Sequence, residues 1–219
     1  MEVTPALRGV EIALVPEEAA HRALEAAPRH ALLDNGGEKA AVPTASVALV
    51  ASPVALYALF EVDAEPPLRV GSSDGGPVFE DECVEIFVGR PEDPATYREI
   101  VVNPAGARYG AEIRNPDDSR ETWKLRPGSL PEGLTVAVRG EPAGAPPGAW
   151  SRWSCRISVP WRALSVGGRA PAPDALWRLN AFRIARGAST RFQALSPTLR
   201  SAPPDFHIPS RFAKAVFRL

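Results

Sequence analysis

Two short segments of this 219-residue chain gather residue types that handle hydroxyl-rich ligands. In the first, Phe79-Glu80-Asp81-Glu82-Cys83-Val84-Glu85-Ile86-Phe87, a loop ring is followed by carboxylates that run into a strand pattern. In the second, Pro204-Asp205-Phe206-His207-Ile208-Pro209, a ring and an imidazole stand between prolines ahead of the last strand pattern. Aromatic faces stack on flat apolar surfaces, and carboxylates accept hydrogen bonds from hydroxyls. Phe79 and Phe206, brought together with Glu85 between them, would make a slot for a sugar or a related polyol.

The same acids invite comparison with glycoside hydrolysis. That chemistry sets two carboxyls about 5–5.5 Å apart for retention, or about 6.5–9.5 Å for inversion, on opposite sides of the scissile bond. Asp81 and Glu85 on one strand would be separated by roughly 13 Å. Glu80 and Glu82 would lie about 7 Å apart, but on one face of one segment. No other strand offers an evident partner, and no nucleophile elbow is present. The expectation is a non-catalytic binder. The alternatives are a glycoside hydrolase, or a structural or interaction module with no sugar ligand.

The elements that must position these residues are short. Seventeen glycines and 24 prolines punctuate brief apolar runs, as in a chain of many strands and turns. Strands are expected at 46–50, 54–62, 83–88, 97–103, 107–113, 134–139, 153–159, 176–185, 191–195 and 214–219, the first two as a hairpin across Ser52-Pro53. Glu17 to Ala27, between Pro16 and Pro28, reads as the one helix. Helices never alternate with strands, so the pattern predicts an all-β antiparallel sandwich of jelly-roll type with one short N-terminal helix. Residues 1–219 read as a single domain, with 1–39 supplying an N-terminal strand and helix. Residues 71–77 and 141–148 are surface loops.

Side chains alternate along a strand, so Val84, Ile86 and Val88 should face the core and Cys83, Glu85 and Phe87 the opposite side. The same reasoning points Phe182 and Ile184 inward and Arg183 outward, where it could share a surface with Glu85. Glu85 then either holds a ligand or forms a salt bridge with Arg183. Asn103, before Pro104 and Gly106, either caps a turn or binds a hydroxyl, and His207 is either a ligand contact or a plain loop histidine. Trp153, Trp161 and Trp177 read as packing, and Trp123 and Trp150 as a secondary apolar surface.

A formal net charge of −1 gives no field for nucleic acid or an anionic membrane. No apolar stretch approaches the roughly 18 residues of a membrane span. The N-terminus lacks a basic region followed by an apolar run, so a cytoplasmic location is expected, or an extracellular one if a leader has been removed. Cys83 and Cys155 are too few to staple the chain, and a reduced buried thiol is the commoner state for Cys83. Histidines at 21, 30 and 207 match no zinc spacing.

Taken in order, six segments resemble the family 9 carbohydrate-binding modules of the DOMON-like superfamily. They are Leu56 to Phe60, Phe79 to Phe87, Tyr97 to Gly106, Trp153 to Leu164, Trp177 to Ile184 and Phe206 to Phe217, covering about residues 40–219. The resemblance implies a β-sandwich that holds a terminal sugar between two aromatic rings, while acidic, basic and amide groups bind its hydroxyls. On this chain the aromatic positions are Phe79 and Phe206, the acid is Glu85, and Arg183, Asn103 and His207 are the further contacts. Phenylalanine keeps a stacking face but has no ring N–H donor. Val101 stands where some relatives carry a basic residue, and Leu195 where a tryptophan is common. Haem-binding relatives use methionine and histidine, yet the sole methionine is Met1. No cofactor is expected. The resemblance leaves structural calcium open, with Asp63, Asp74, Asp81 and Glu82 as oxygen donors.

Overall fold

Aliphatic runs between glycines and prolines become strands in the computed structural model, which describes residues 7–37, 40–164, 168–200 and 202–219. Strand β1 (Gly9–Leu14) leads through a 3-10 turn, Glu17–Ala19, into α1 (Ala20–Ala26), the one α-helix among the described residues. After the two-residue pieces β2 (His30–Ala31) and β3 (Leu33–Asp34) come β4 (Ala45–Ala51) and β5 (Ala55–Asp63), paired as the expected hairpin. The chain continues with β6 (Cys83–Gly89), β7 (Thr96–Val102), β8 (Arg108–Arg114) and the short β9 (Lys124–Pro127). It ends with β10 (Thr135–Glu141), β11 (Arg152–Pro160), β12 (Leu176–Arg186), β13 (Thr190–Ala194) and β14 (Ala213–Arg218).

The main path of paired strands runs β10-β11-β5-β4-β1-β14-β12-β6-β7-β8-β9. Pairing along it is antiparallel except at β1, which lies parallel to both β14 and β4. Thus β1, the strand expected within residues 1–39, joins two antiparallel halves into one curled sheet. Val47, Leu49, Phe60 and Ile157 from one half meet Val84, Ile86, Ile100 and Leu179 from the other in the main buried cluster. The architecture is the expected all-β sandwich with a single short helix. That helix covers the outer face of β4 and β5, setting Ala20 and Leu24 against Val50, Tyr57 and Leu59.

The outer face of β6, β7, β8 and β12 is also buried. Cys83, Phe87, Tyr97, Phe182 and Ile184 pack there against Phe206 and Phe212 from the segment before β14. This corrects the expected orientation of β12. Phe182 pairs with Glu85 and Arg183 with Val84, so Phe182 and Ile184 share the Glu85 face and Arg183 turns into the sandwich. Arg183 is fully buried, its Nε and Nη2 at 2.9 and 2.8 Å from Glu82 Oε1. Glu82 has the parity of Val84 and reaches the same interior. The two cysteines are buried in different clusters and are not bonded to each other. No helix among the described residues is long and apolar enough to cross a membrane.

Candidate functional site

Where β6, β7 and β8 leave their outer face partly open, a pocket of about 330 Å³ forms between the 79 loop, the 120–123 loop and the 204–207 segment. Phe79, Phe206, Glu85 and His207 all line it. Phe79 is the exposed ring, 38% accessible, standing edge-on to Tyr109 with centroids 5.2 Å apart. Phe206 is only 6% accessible, because one face stacks on Phe182 at 4.2 Å and Phe192 meets it edge-on. The two phenylalanines therefore reach one cavity differently, Phe79 as an open flap and Phe206 as part of the wall. Trp123, Tyr109 and Phe192 complete the aromatic lining.

Two carboxylates form the floor. Glu85 on β6 and Glu99 on β7 are 2% and 5% accessible, and both open onto the pocket. The strands register Glu85 against Val101 and Glu99 against Phe87, which sets the acids diagonally on adjacent strands of one face. Glu85 Oε1 receives only the weak thiol donor of Cys83 at 3.7 Å. Glu99 makes no hydrogen bond or ion pair with any described residue. Burial pushes the Glu99 carboxyl up to about 8, against the opposing pull of Arg120. Burial and then the neighbouring Glu99 charge raise Glu85 well above the carboxylate range. Burial thus favours the protonated form of both acids, and Glu99 is held protonated at neutral pH.

The imidazole of the second segment is fixed by Asp205 within it and by groups from β7 and the loop after β8. His207 N donates to Asp205 Oδ1 at 3.0 Å, and the His207 carbonyl accepts from Asn115 Nδ2 at 2.8 Å. A 2.8 Å hydrogen bond links His207 Nδ1 to the Tyr97 hydroxyl, while Trp123 stands edge-on to the imidazole at 4.9 Å. Burial and then the charge of Arg120 lower His207 to about 3, so the ring is neutral. Arg120 is itself held by both oxygens of Asp205, at 3.1 and 2.8 Å, and lies over the Trp123 ring.

Asn103 lies elsewhere. Fully buried, its Nδ2 donates to Asp81 at 2.9 Å and its Oδ1 accepts from Ala107 N at 2.9 Å. It closes a turn that Gly106 completes at φ +82°, where a side chain would be strained. Asp81 in turn accepts from Gly71 N and Ser72 N, which anchors the loop leading to Phe79. Asn103 thus supports the loop behind the pocket without reaching the pocket. Arg183 is absent from the lining too, since it serves Glu82 on the other face of the sheet.

The acids named for calcium do not converge. Asp63 is held by Arg152 and Thr44, Asp74 by Arg108, Asp81 by Asn103, and Glu82 by Arg183. Among the described residues no three histidine, cysteine, aspartate or glutamate side chains gather as a metal site.

A larger concavity of about 750 Å³ lies on the other half of the sheet, beside β4, β5, β10 and β11. Its polar lining includes the exposed Arg152–Asp63 pair, and its one tryptophan, Trp153, is spent in the main core. With no open aromatic face it is the weaker site for a ring.

Glu99, Tyr109, Arg120 and Trp123 were not read from the sequence as site residues. Glu99 carried a signal. It shares a face with Tyr97 and Val101 on a strand whose other side, Ile100 and Val102, is core, so a carboxylate sat in a doubly buried run.

No family model matches the chain, and no curated protein is similar to it in sequence. Solved structures do match. One is a Bacteroides uniformis protein assigned as carbohydrate-binding, with a TM-score of 0.73 and 20% identity over 97% of this chain and 100% of that one. A family 9 carbohydrate-binding module from Caldicellulosiruptor kristjanssonii in complex with cellotriose matches with a TM-score of 0.62 and 13% identity, over 96% of this chain and 94% of that one. Its complex with glucose gives 0.62 and 12%, over 96% of each chain. The chain has the family 9 carbohydrate-binding module fold.

Proposed function

We propose that the pocket between the 79 loop and the 204–207 segment binds one sugar ring, or a related polyol, without cleaving it. The observation that carries this reading is an open aromatic ring, Phe79, beside two buried carboxyls on the floor of a ring-sized cavity. A protonated carboxyl both donates and accepts hydrogen bonds, as a sugar hydroxyl requires. Phe79 would stack on the ring from the open side, with Phe206 and Trp123 bounding it. Glu85, Glu99 and the neutral His207 would fix its hydroxyls. The fold likeness to modules solved with cellotriose and glucose supports the ligand class.

Glu85 and Glu99 rise from one sheet face, so they approach a bound ring from the same side. Glycoside hydrolysis places its two carboxyls across the scissile bond. That geometry favours holding over cutting.

Calorimetric titration with neutral mono- and disaccharides tests the reading. Saturable binding that weakens about five- to tenfold in Phe79→Ala is expected, from the loss of one aromatic stacking contact. No saturable binding by any neutral or amino sugar, or binding indifferent to Phe79→Ala, would overturn it.

A further inference from the structure

We propose that the preferred ligand of this pocket is a sugar ring bearing a primary ammonium, an inference that rests on the sugar-binding reading and narrows its ligand class. Glu99 is nine-tenths buried, opens onto the cavity and has no hydrogen-bond or ion-pair partner among the described residues. Beside it Glu85 has only a thiol contact. Buried carboxylates are ordinarily paired, because an isolated charge out of water is far costlier than a neutral polar group.

None of the surrounding cations forms an ion pair with Glu85 or Glu99 among the described residues. Arg120 is taken by Asp205 through two hydrogen bonds. Arg186, which lines the pocket, donates to Thr190 and lies 5.8 Å from the Phe192 centroid; its Nε is buried without a hydrogen-bond partner, and it forms no ion pair with either floor acid. Arg183 is bound to Glu82 behind the sheet. His207, Tyr97 and Tyr109 are neutral, the tyrosines being raised first by burial. The floor therefore holds two acids that no protein cation pairs with directly, and burial favours the protonated form of each.

A ligand ammonium would take the place of such a proton. Its N⁺–H donors would make charge-assisted bonds to the carboxylates, roughly twice as strong as those of a hydroxyl to a neutral partner. The aromatic walls favour the same charge through their ring faces. The displaced carboxyl proton leaves to solvent, so the balance is one proton released for each carboxyl that ionises.

The test is calorimetry at pH 6.5 with glucosamine, galactosamine, mannosamine and 6-amino-6-deoxyglucose, each against its neutral parent, in two buffers of different ionisation heat. At least one amino sugar should bind about tenfold more tightly than its parent. Its heat should change between buffers by an amount reporting proton release, and Glu99→Gln should bring the ratio toward one. Neutral sugars that bind while no amino sugar binds more tightly would overturn the ammonium inference and leave the sugar pocket standing. A preference that survives Glu99→Gln undiminished would overturn it as well. No binding by either class would overturn both readings.

Discussion

Replacing Glu99 by glutamine exchanges a titrating group for a neutral one of nearly the same shape, and so isolates the cost of its buried charge. Burial holds this carboxyl at about 8, while in the unfolded chain it ionises near 4.5. Between those values the native state binds more protons than the unfolded state, so native stability must fall as pH rises through the window. Below the window both states are protonated and the residue contributes nothing. Above it the loss is complete. At about 1.4 kcal/mol per unit of separation, the wild type should lose on the order of 3–4 kcal/mol relative to Glu99→Gln between pH 5 and pH 9. Asp81 and Asp205 are shifted the other way, lowered by hydrogen bonds that outweigh the opposing effect of burial. Their contributions are lost as pH falls, but both proteins carry them, so they cancel in the difference. Glu85, part of whose upward shift comes from the Glu99 charge, should ionise more easily in the variant and widen the gap. Urea unfolding followed by tryptophan fluorescence at pH 5, 7 and 9 measures it. A gap that is constant with pH, or that narrows as pH rises, would refute the claim that Glu99 is buried without a partner.

Three further outcomes separate support from binding. Arg183→Met should cost about 3–5 kcal/mol, because it leaves Glu82 charged inside the sandwich, whereas Glu82→Leu with Arg183→Met should recover most of that loss; denaturant titration of both variants checks it. Phe206→Ala should destabilise by about 3–5 kcal/mol as a buried ring is removed, while Phe79→Ala, with its ring far more open, should cost under about 1 kcal/mol. Similar losses in the two unfolding curves would contradict the flap-and-wall arrangement. Asn103→Ala should cost about 1–3 kcal/mol by stranding Asp81 and the Ala107 amide, and hydrogen exchange at Gly71 and Ser72 should quicken as their loop loosens.

The strands were largely legible, and the reason is local. Cys83 to Val88 and Tyr97 to Asn103 are apolar runs ended by turn residues, and they appear as β6 and β7 within a residue or so of the expected bounds. Strand β1 was legible only as an N-terminal strand without bounds or partners, since Gly-Val-Glu-Ile-Ala-Leu gains its place from long-range parallel pairing with β14 and β4. The site was half legible. Phe79, Glu85, Phe206 and His207 do meet at one pocket, but Asn103 and Arg183 serve the scaffold.

Arg183 shows why residue spacing could not finish the task. Alternation tells which side chains share a face, and it correctly set Arg183 apart from Phe182 and Ile184. It cannot tell which face is the core when both are covered, and β12 has apolar cover on each side. The usual inference, apolar in and charged out, then inverts. A strand buried on both faces can carry a charge inward only against a matching charge, and Glu82 supplies it. The same double burial makes the pocket distinctive. An ordinary sandwich turns Glu85 and Glu99 toward water, where a carboxylate is cheap and binds weakly. Here the Phe206 segment folds over that outer face, buries both acids, and leaves Glu99 without a partner and Glu85 with only a thiol. The covering segment and the unpaired floor belong to one arrangement, so a change that lifts Phe206 off Phe182 should also lower the Glu99 pKa toward its solvent value. An NMR titration of Glu99 in Phe206→Ala that still finds it near 8 would show that burial by this segment is not what holds the proton.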